Sequence, residues 1–297
     1  MSRKFFVFFI PVFLILIVIS FFLIKGGVNK VNTSKNQIVT SFYPIYFFTS
    51  RIAGDKFDVI NITPDRTEPH DYELSTDDLI KIQKSKLLIV NGVGLEPWLE
   101  KLKDNLNENE IKITTTGEGL SKNNDPHFWL DPVLAKSVAE KITKSLIEID
   151  PENTNYFLRN NALLTDDLGK LDKDFKTGLN KCRLNQVVTS HATFGYLASK
   201  YNLKQIAISG LSPDEEPSPA KISEIADLIK KRGIKYIFFE RLVSPRFAET
   251  IALETGAKII EFNPLEGLSR SEELKNKDYF SIQRQNLKNL KIALECN

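Results

Sequence analysis

Apolar residues in this chain gather in short blocks, and between the blocks they return every three or four positions. The blocks lie at 37–42, 57–62, 87–90 and 111–115, and again at 186–190, 204–208, 235–240 and 257–262. Short apolar runs bounded by turn residues read as buried strands. The intervening stretches have helical spacing and carry start and stop signals. Pro44 opens a helix to residue 54, Ser75 is the N-cap of a helix over 76–85, and another runs through Trp98 and Leu102. In the second half, helices are expected at 194–201, from Ser218-Pro219 to Arg232 with Gly233 ending it, from Ser244-Pro245 to Gly256, and at 278–295 with Leu287, Leu290 and Leu294 inward. Strands alternating with helices imply parallel sheets covered on both faces.

The middle of the chain breaks the alternation. Asp131 caps a helix with Pro132 at its first position, and Leu134, Val138, Ile142 and Leu146 follow four apart. Asp150-Pro151 then opens a longer helix to about Asn180, with Tyr156, Leu164, Leu168, Leu171, Phe175 and Leu179 on its apolar side. At 1.5 Å per residue this helix is roughly 45 Å long, enough to run the length of two packed domains. The expected fold is therefore α/β: two four-stranded parallel-sheet domains flanked by helices and joined by one long helix. The expected divisions are 37–150, a connecting helix at 151–181, and 182–297. The two halves are alike in architecture and show no repeat in sequence.

Composition narrows the function. An apolar content of 42% with 26% charged residues is that of a folded globular protein. The net charge is +2 and no basic block stands out, which argues against a nucleic-acid partner. Residues 5–24 carry no charge, follow Arg3 and Lys4, and are long enough to cross a bilayer as a helix. Pro11 is tolerable there. Lys25-Gly26-Gly27-Val28 is a poor cleavage site, and no cysteine lies near residue 25 to accept a lipid. The expectation is an uncleaved signal anchor, with a cleaved signal peptide as second choice. Residues 26–36 then form a short polar tether, and the body lies outside the cytoplasm. Of the two cysteines, Cys182 and Cys296, a disulfide is reasonable in an exported protein and would be worth about 4 kcal/mol. Two unpaired buried thiols are the other reading.

The candidate chemistry rests on three histidines, the only ones in the chain. His70 lies in Glu68-Pro-His-Asp-Tyr-Glu73, His127 in Asp125-Pro-His-Phe-Trp-Leu-Asp-Pro132, and His191 in Thr189-Ser-His-Ala-Thr-Phe-Gly-Tyr196. Ligands of open α/β sheets bind beyond the carboxyl ends of the strands, which is where these runs fall. Neutral imidazole is the commonest side-chain metal ligand, and three with one carboxylate make a zinc set. Glu266, on the loop Asn263-Pro-Leu-Glu-Gly-Leu268, is the preferred fourth ligand because it has the charge. Asn263, at the expected strand end, is the weaker alternative, and Glu240 is either a fourth ligand or a partner that holds an imidazole.

These runs, together with Gly210-Leu-Ser-Pro-Asp-Glu-Glu-Pro-Ser218, resemble the metal-binding receptors of zinc and manganese ABC importers, the cluster A-I solute-binding proteins. The likeness covers about residues 37–296 in five ordered motifs. It implies two α/β domains, a rigid connecting helix and a metal buried in the interdomain cleft. It also implies His70, His127 and His191 as ligands, with a carboxylate from the Glu266 loop completing a zinc-type site. Manganese-type members usually replace the third histidine with a carboxylate, so His191 favours Zn2+ over Mn2+. The expected partners are the permease of the importer and its ATPase, with the receptor acting as a monomer. This chain departs from relatives in having no lipid-anchoring cysteine, Asn263 where some members place an aspartate, and no His-rich loop between Trp98 and Pro126. The rival functions are a secreted zinc hydrolase, with Glu240 or Glu266 as base, and an adhesin-like surface protein. The missing His-Glu-x-x-His helix counts against the hydrolase.

Overall fold

Each strand is four residues long and each sheet is wholly parallel, so both of its faces must be covered. The computed structural model describes residues 37–105 and 111–297. The first sheet has β1 (Gln37–Thr40), β2 (Asp58–Asn61), β3 (Leu87–Val90) and β4 (Lys112–Thr115) in the order β2-β1-β3-β4. The second repeats that order with β5 (Gln186–Thr189), β6 (Lys204–Ala207), β7 (Tyr236–Phe239) and β8 (Lys258–Glu261), as β6-β5-β7-β8. In each sheet the chain reverses its direction of winding at the first strand. The crevice at such a switch point opens beyond the carboxyl ends.

Alternate residues of each strand enter different cores. Ile38, Leu87 and Ile89, with Val187 and Phe238 of the second sheet, join one large apolar cluster. That cluster is filled by α1 (Tyr43–Ala53), α4 (Pro132–Ile149), α5 (Thr154–Gly178) and α10 (Tyr279–Leu294). The opposite faces have their own smaller cores. Val39, Leu88 and Val90 pack with α2 (Thr76–Lys84) and α3 (Leu99–Asn105), while Val188 and Ile237 pack with α7 (Pro219–Arg232) and α8 (Arg246–Thr255). One face of each sheet therefore shares a helical layer with the other sheet, and residues 36–297 form one compact unit.

The helix signals operate locally. The Ser75 side chain accepts from Asp78 N in a capping box, Asp131 accepts from Val133 N, and Gly233 and Gly256 end their helices in the left-handed region. Three expectations need correction. The long helix is a short 3-10 turn at Pro151–Asn153 followed by 25 residues of α5, about 37 Å rather than 45 Å. The buried aromatic near its start is Phe157, not Tyr156. Tyr156 is only half-buried, because its hydroxyl reaches out to Asp55 over Gly54. The helix through Trp98 begins at Leu99. Two short helices, α6 (Gly195–Lys200) and α9 (Arg270–Leu274), complete the set among the described residues.

Cys182 and Cys296 are joined by a disulfide and pair as an isolated antiparallel bridge, which ties the end of the chain to the residues just before β5. The expected anchor at residues 5–24 and the tether after it lie outside the described residues. Among the described residues no helix is long and apolar enough to cross a membrane.

Candidate metal centre

Loops beyond the carboxyl ends of both sheets bring His70, His127, His191 and Glu266 together, with one donor atom of each lying within 4.8 Å of the others. The Nε2 atoms of His70 and His127 are 3.2 Å apart. Glu266 Oε1 lies 3.5 Å from Nε2 of His127, 3.7 Å from that of His191 and 4.0 Å from that of His70. Bonds of about 2.0–2.1 Å in a tetrahedron separate zinc ligands by about 3.3 Å. The four separations given thus lie near, or somewhat above, the edge of such a tetrahedron.

Each donor is held by identifiable contacts. Asp125 Oδ1 accepts from His127 N at 2.9 Å and contacts His127 Nδ1 at 2.8 Å, which aims Nε2 at the centre. The Asp125 loop is fixed in turn from the other half, where Tyr196 Oη donates to the Asp125 carbonyl at 2.9 Å. The His191 carbonyl accepts from Thr189 Oγ1 and Gln205 Nε2, and its Nδ1 lies 2.6 Å from Glu240 Oε2. That last contact has the distance of an ion pair without the angle of a directed hydrogen bond. A carboxylate behind a metal-facing imidazole fixes its tautomer and raises its basicity.

Of the three candidates for fourth donor, Glu266 is the one whose carboxylate converges on the histidines. Asn263 does not face the centre. Its Oδ1 accepts from Leu265 N at 2.8 Å and its Nδ2 donates to Glu272 at 2.7 Å, so it builds the turn. Leu265 is buried at a φ of 66°, a costly region for a branched side chain. Trp129 Nε1 donates to the Pro264 carbonyl at 2.8 Å, and Tyr279 Oη donates to the Trp129 carbonyl at 2.6 Å. These contacts hold the turn so that Glu266 points inward. Glu240 is likewise not among the converging donors and stands behind His191.

Burial and charge set the protonation of the group. Burial pulls the His70 imidazole down to about 4 despite the pull of Glu266. Burial also opposes the charge of His127 and His191, but Asp125 and Glu266 outweigh it at His127, and Glu240 and Glu266 at His191, so both lie above the usual imidazole value. Burial works against the Glu266 charge as well, yet His127 and His191 hold its carboxyl far below the usual range. Burial, then the nearby charge of Glu266, pushes the Glu68 carboxyl well above it. Asp125 and Glu68 were not singled out from sequence. A signal was there: Glu68-Pro-His70 and Asp125-Pro-His127 repeat one pattern, and each acid accepts from the backbone N–H of its histidine.

Comparison with known proteins bears on this geometry. Residues 38–293 match the family described as zinc-uptake complex component A, periplasmic (ZnuA). The chain belongs to this family. It is 36% identical over 290 residues to the high-affinity zinc uptake system protein ZnuA of Bacillus subtilis, covering 91% of each chain. It is 38% identical to the zinc-binding lipoprotein AdcA of Streptococcus pneumoniae, where it spans only 58% of that protein's length. The Zn(II)-bound ZnuA-like domain of AdcA superposes with a TM-score of 0.79 at 40% identity, covering 88% of this chain and 100% of that domain. The ZnuA family consists of solute-binding receptors for zinc uptake, so this chain is a receptor for Zn2+ and not an enzyme. The hydrolase reading is thereby set aside.

Proposed function

We propose that the chain captures Zn2+ outside the cytoplasm through His70, His127, His191 and Glu266 and delivers it to the permease of an ABC importer. One observation carries the ligand assignment. The Glu266 carboxylate is 1% exposed, neither oxygen accepts a hydrogen bond, and three imidazole Nε2 atoms surround Oε1. A buried charge without hydrogen-bonding partners is costly, and a divalent cation among these four atoms would offset that cost. Three neutral nitrogens and one carboxylate at tetrahedral spacing suit Zn2+. Mn2+ prefers an octahedral, oxygen-rich shell. Four protein ligands also close the coordination sphere, leaving no position for a reactive water, as a carrier requires.

In this reading the two sheets are lobes on either side of the metal, and cation binding ties their loops together. Release requires one ligand to yield, and Glu266, held on a strained turn, is the one we assign. The receptor works as a monomer, with residues 5–24 keeping it at the outer face of the cytoplasmic membrane beside the permease and its ATPase. The test is metal analysis of residues 36–297, stripped and then dialysed against equal zinc and manganese, beside Glu266→Ala. One zinc per chain, lost more readily by the variant, is expected. Preferential retention of manganese, or no stoichiometric metal, would overturn the reading.

A further inference from the structure

The four ligands differ in their access to solvent. The side chains of His127, His191 and Glu266 are fully buried, whereas that of His70 keeps 7% exposure. A cavity of about 310 Å³ lies beside the loop that carries His70, lined by residues on either side of it in sequence. Its walls include Glu68, two residues before His70, and Ser190, next to His191. Its lining also includes Asp71 from the loop after β2 and Asp214 from the loop after β6, two carboxyl groups near enough to interact. The one basic residue lining the cavity, Arg246, is held by Glu216 at 3.1 Å and does not neutralise that pair.

Glu68 lines this cavity. Its Oε1 accepts from His70 N at 3.3 Å, while its Oε2 is buried and accepts from no donor. It lies close enough to Glu266 for their charges to repel, and close enough to His191 to feel that imidazole. An unpartnered buried oxygen between a pair of carboxylates and a cluster of ligands is placed to hold a cation. The space is adequate, since the six waters of a hydrated divalent ion occupy roughly 180 Å³.

Resting on the ligand assignment above, we propose that Glu68 is a transfer ligand, taking a divalent cation from the Asp71–Asp214 pair and passing it to His70. The step is ligand exchange without redox change. The cation trades bound waters for a Glu68 oxygen, and then trades that oxygen for the imidazoles and Glu266. Release runs the same sequence backwards. Such a residue lowers the barrier between that pair and the site and belongs to neither end state. Its removal slows binding and release together and leaves the equilibrium nearly unchanged.

The experiment is stopped-flow zinc binding and chelator-driven release on the full chain in detergent, for the parent, Glu68→Gln, Glu68→Asp and Asp214→Asn. Thermal unfolding of each metal-free variant checks its fold. Glu68→Gln is expected to slow both rates by about tenfold or more while retaining one zinc per chain with Kd within about threefold; Glu68→Asp recovers part of the loss. Asp214→Asn lowers only the association rate and weakens its dependence on salt. Unchanged rates in Glu68→Gln with one zinc still bound would overturn the transfer role, as would a weaker Kd at an unchanged association rate. Absence of zinc from the parent would instead overturn the ligand assignment, and the transfer role with it.

Discussion

Glu240 provides a direct measure of how much the groups behind the donors contribute. Its Oε2 lies 2.6 Å from His191 Nδ1, its Oε1 is 3.3 Å from His191 N, and the residue is 2% exposed. Glu240→Gln keeps the shape and an acceptor for the His191 backbone N–H but removes the charge that makes Nε2 a better donor. Glu240→Ala removes the acceptor as well, leaving the buried His191 backbone N–H without a partner and Nδ1 without its charged neighbour. Loss of such an outer partner typically weakens metal affinity by about 10–100-fold, or about 1.4–2.7 kcal/mol. We expect Gln near the lower end and Ala near the upper. The unpaired N–H in Glu240→Ala should also cost about 1–3 kcal/mol of metal-free stability. Competition against a chromophoric zinc chelator at pH 7.5 reads the affinities, and thermal unfolding reads the stability. A Kd for Glu240→Ala within twofold of the parent, with one zinc bound, would refute the view that this carboxylate tunes His191.

Three further outcomes follow from the same geometry. Zinc must displace protons from imidazoles whose values are raised, and His127 and His191 are raised while His70 is lowered to about 4. As pH falls below the two raised values, affinity should drop by about a hundredfold per unit, the slope of two protons, and a three-proton slope above pH 5 would count against it. Replacing both Cys182 and Cys296 by Ser opens a loop with a sequence separation of 114. That should cost about 4–5 kcal/mol and lower Tm by about 10 °C or more while zinc stays at one per chain, as calorimetry and metal analysis would show. Trp129→Phe removes the donor to the Pro264 carbonyl. It should cost about 1–3 kcal/mol beyond packing and weaken zinc binding through the Glu266 turn, whereas Trp98→Phe, in a separate core, should affect stability alone.

Much of the fold is local and therefore legible in sequence. Eight apolar blocks became eight strands, all but the one at 87–90 trimmed to four residues. The helix starts at Ser75, Asp131 and Ser218 stand where their side chains can accept from the first turn. The capping box of α9, Ser269 with Glu272, was legible by the same rule but was missed because the helix is only five residues long. Periodicity failed at Tyr156 and Phe157, adjacent aromatics of which only the fold decides which faces the core.

The site divides along the same line. Sequence alone determined the donor chemistry: three scarce imidazoles in turn-rich runs beyond strands, with a loop carboxylate for a fourth. It preferred Glu266 to Asn263 and Glu240 on charge alone, because all three lie at or just beyond strand ends where a side chain can point either way. Which of the three turns toward the histidines is decided by contacts remote in sequence. Trp129 from the first half grips Pro264, Asn263 turns to cap Leu265, and Glu240 stands against the back of His191. The identity of a ligand is a property of one residue. Its direction is set by neighbours that only folding brings within hydrogen-bonding distance.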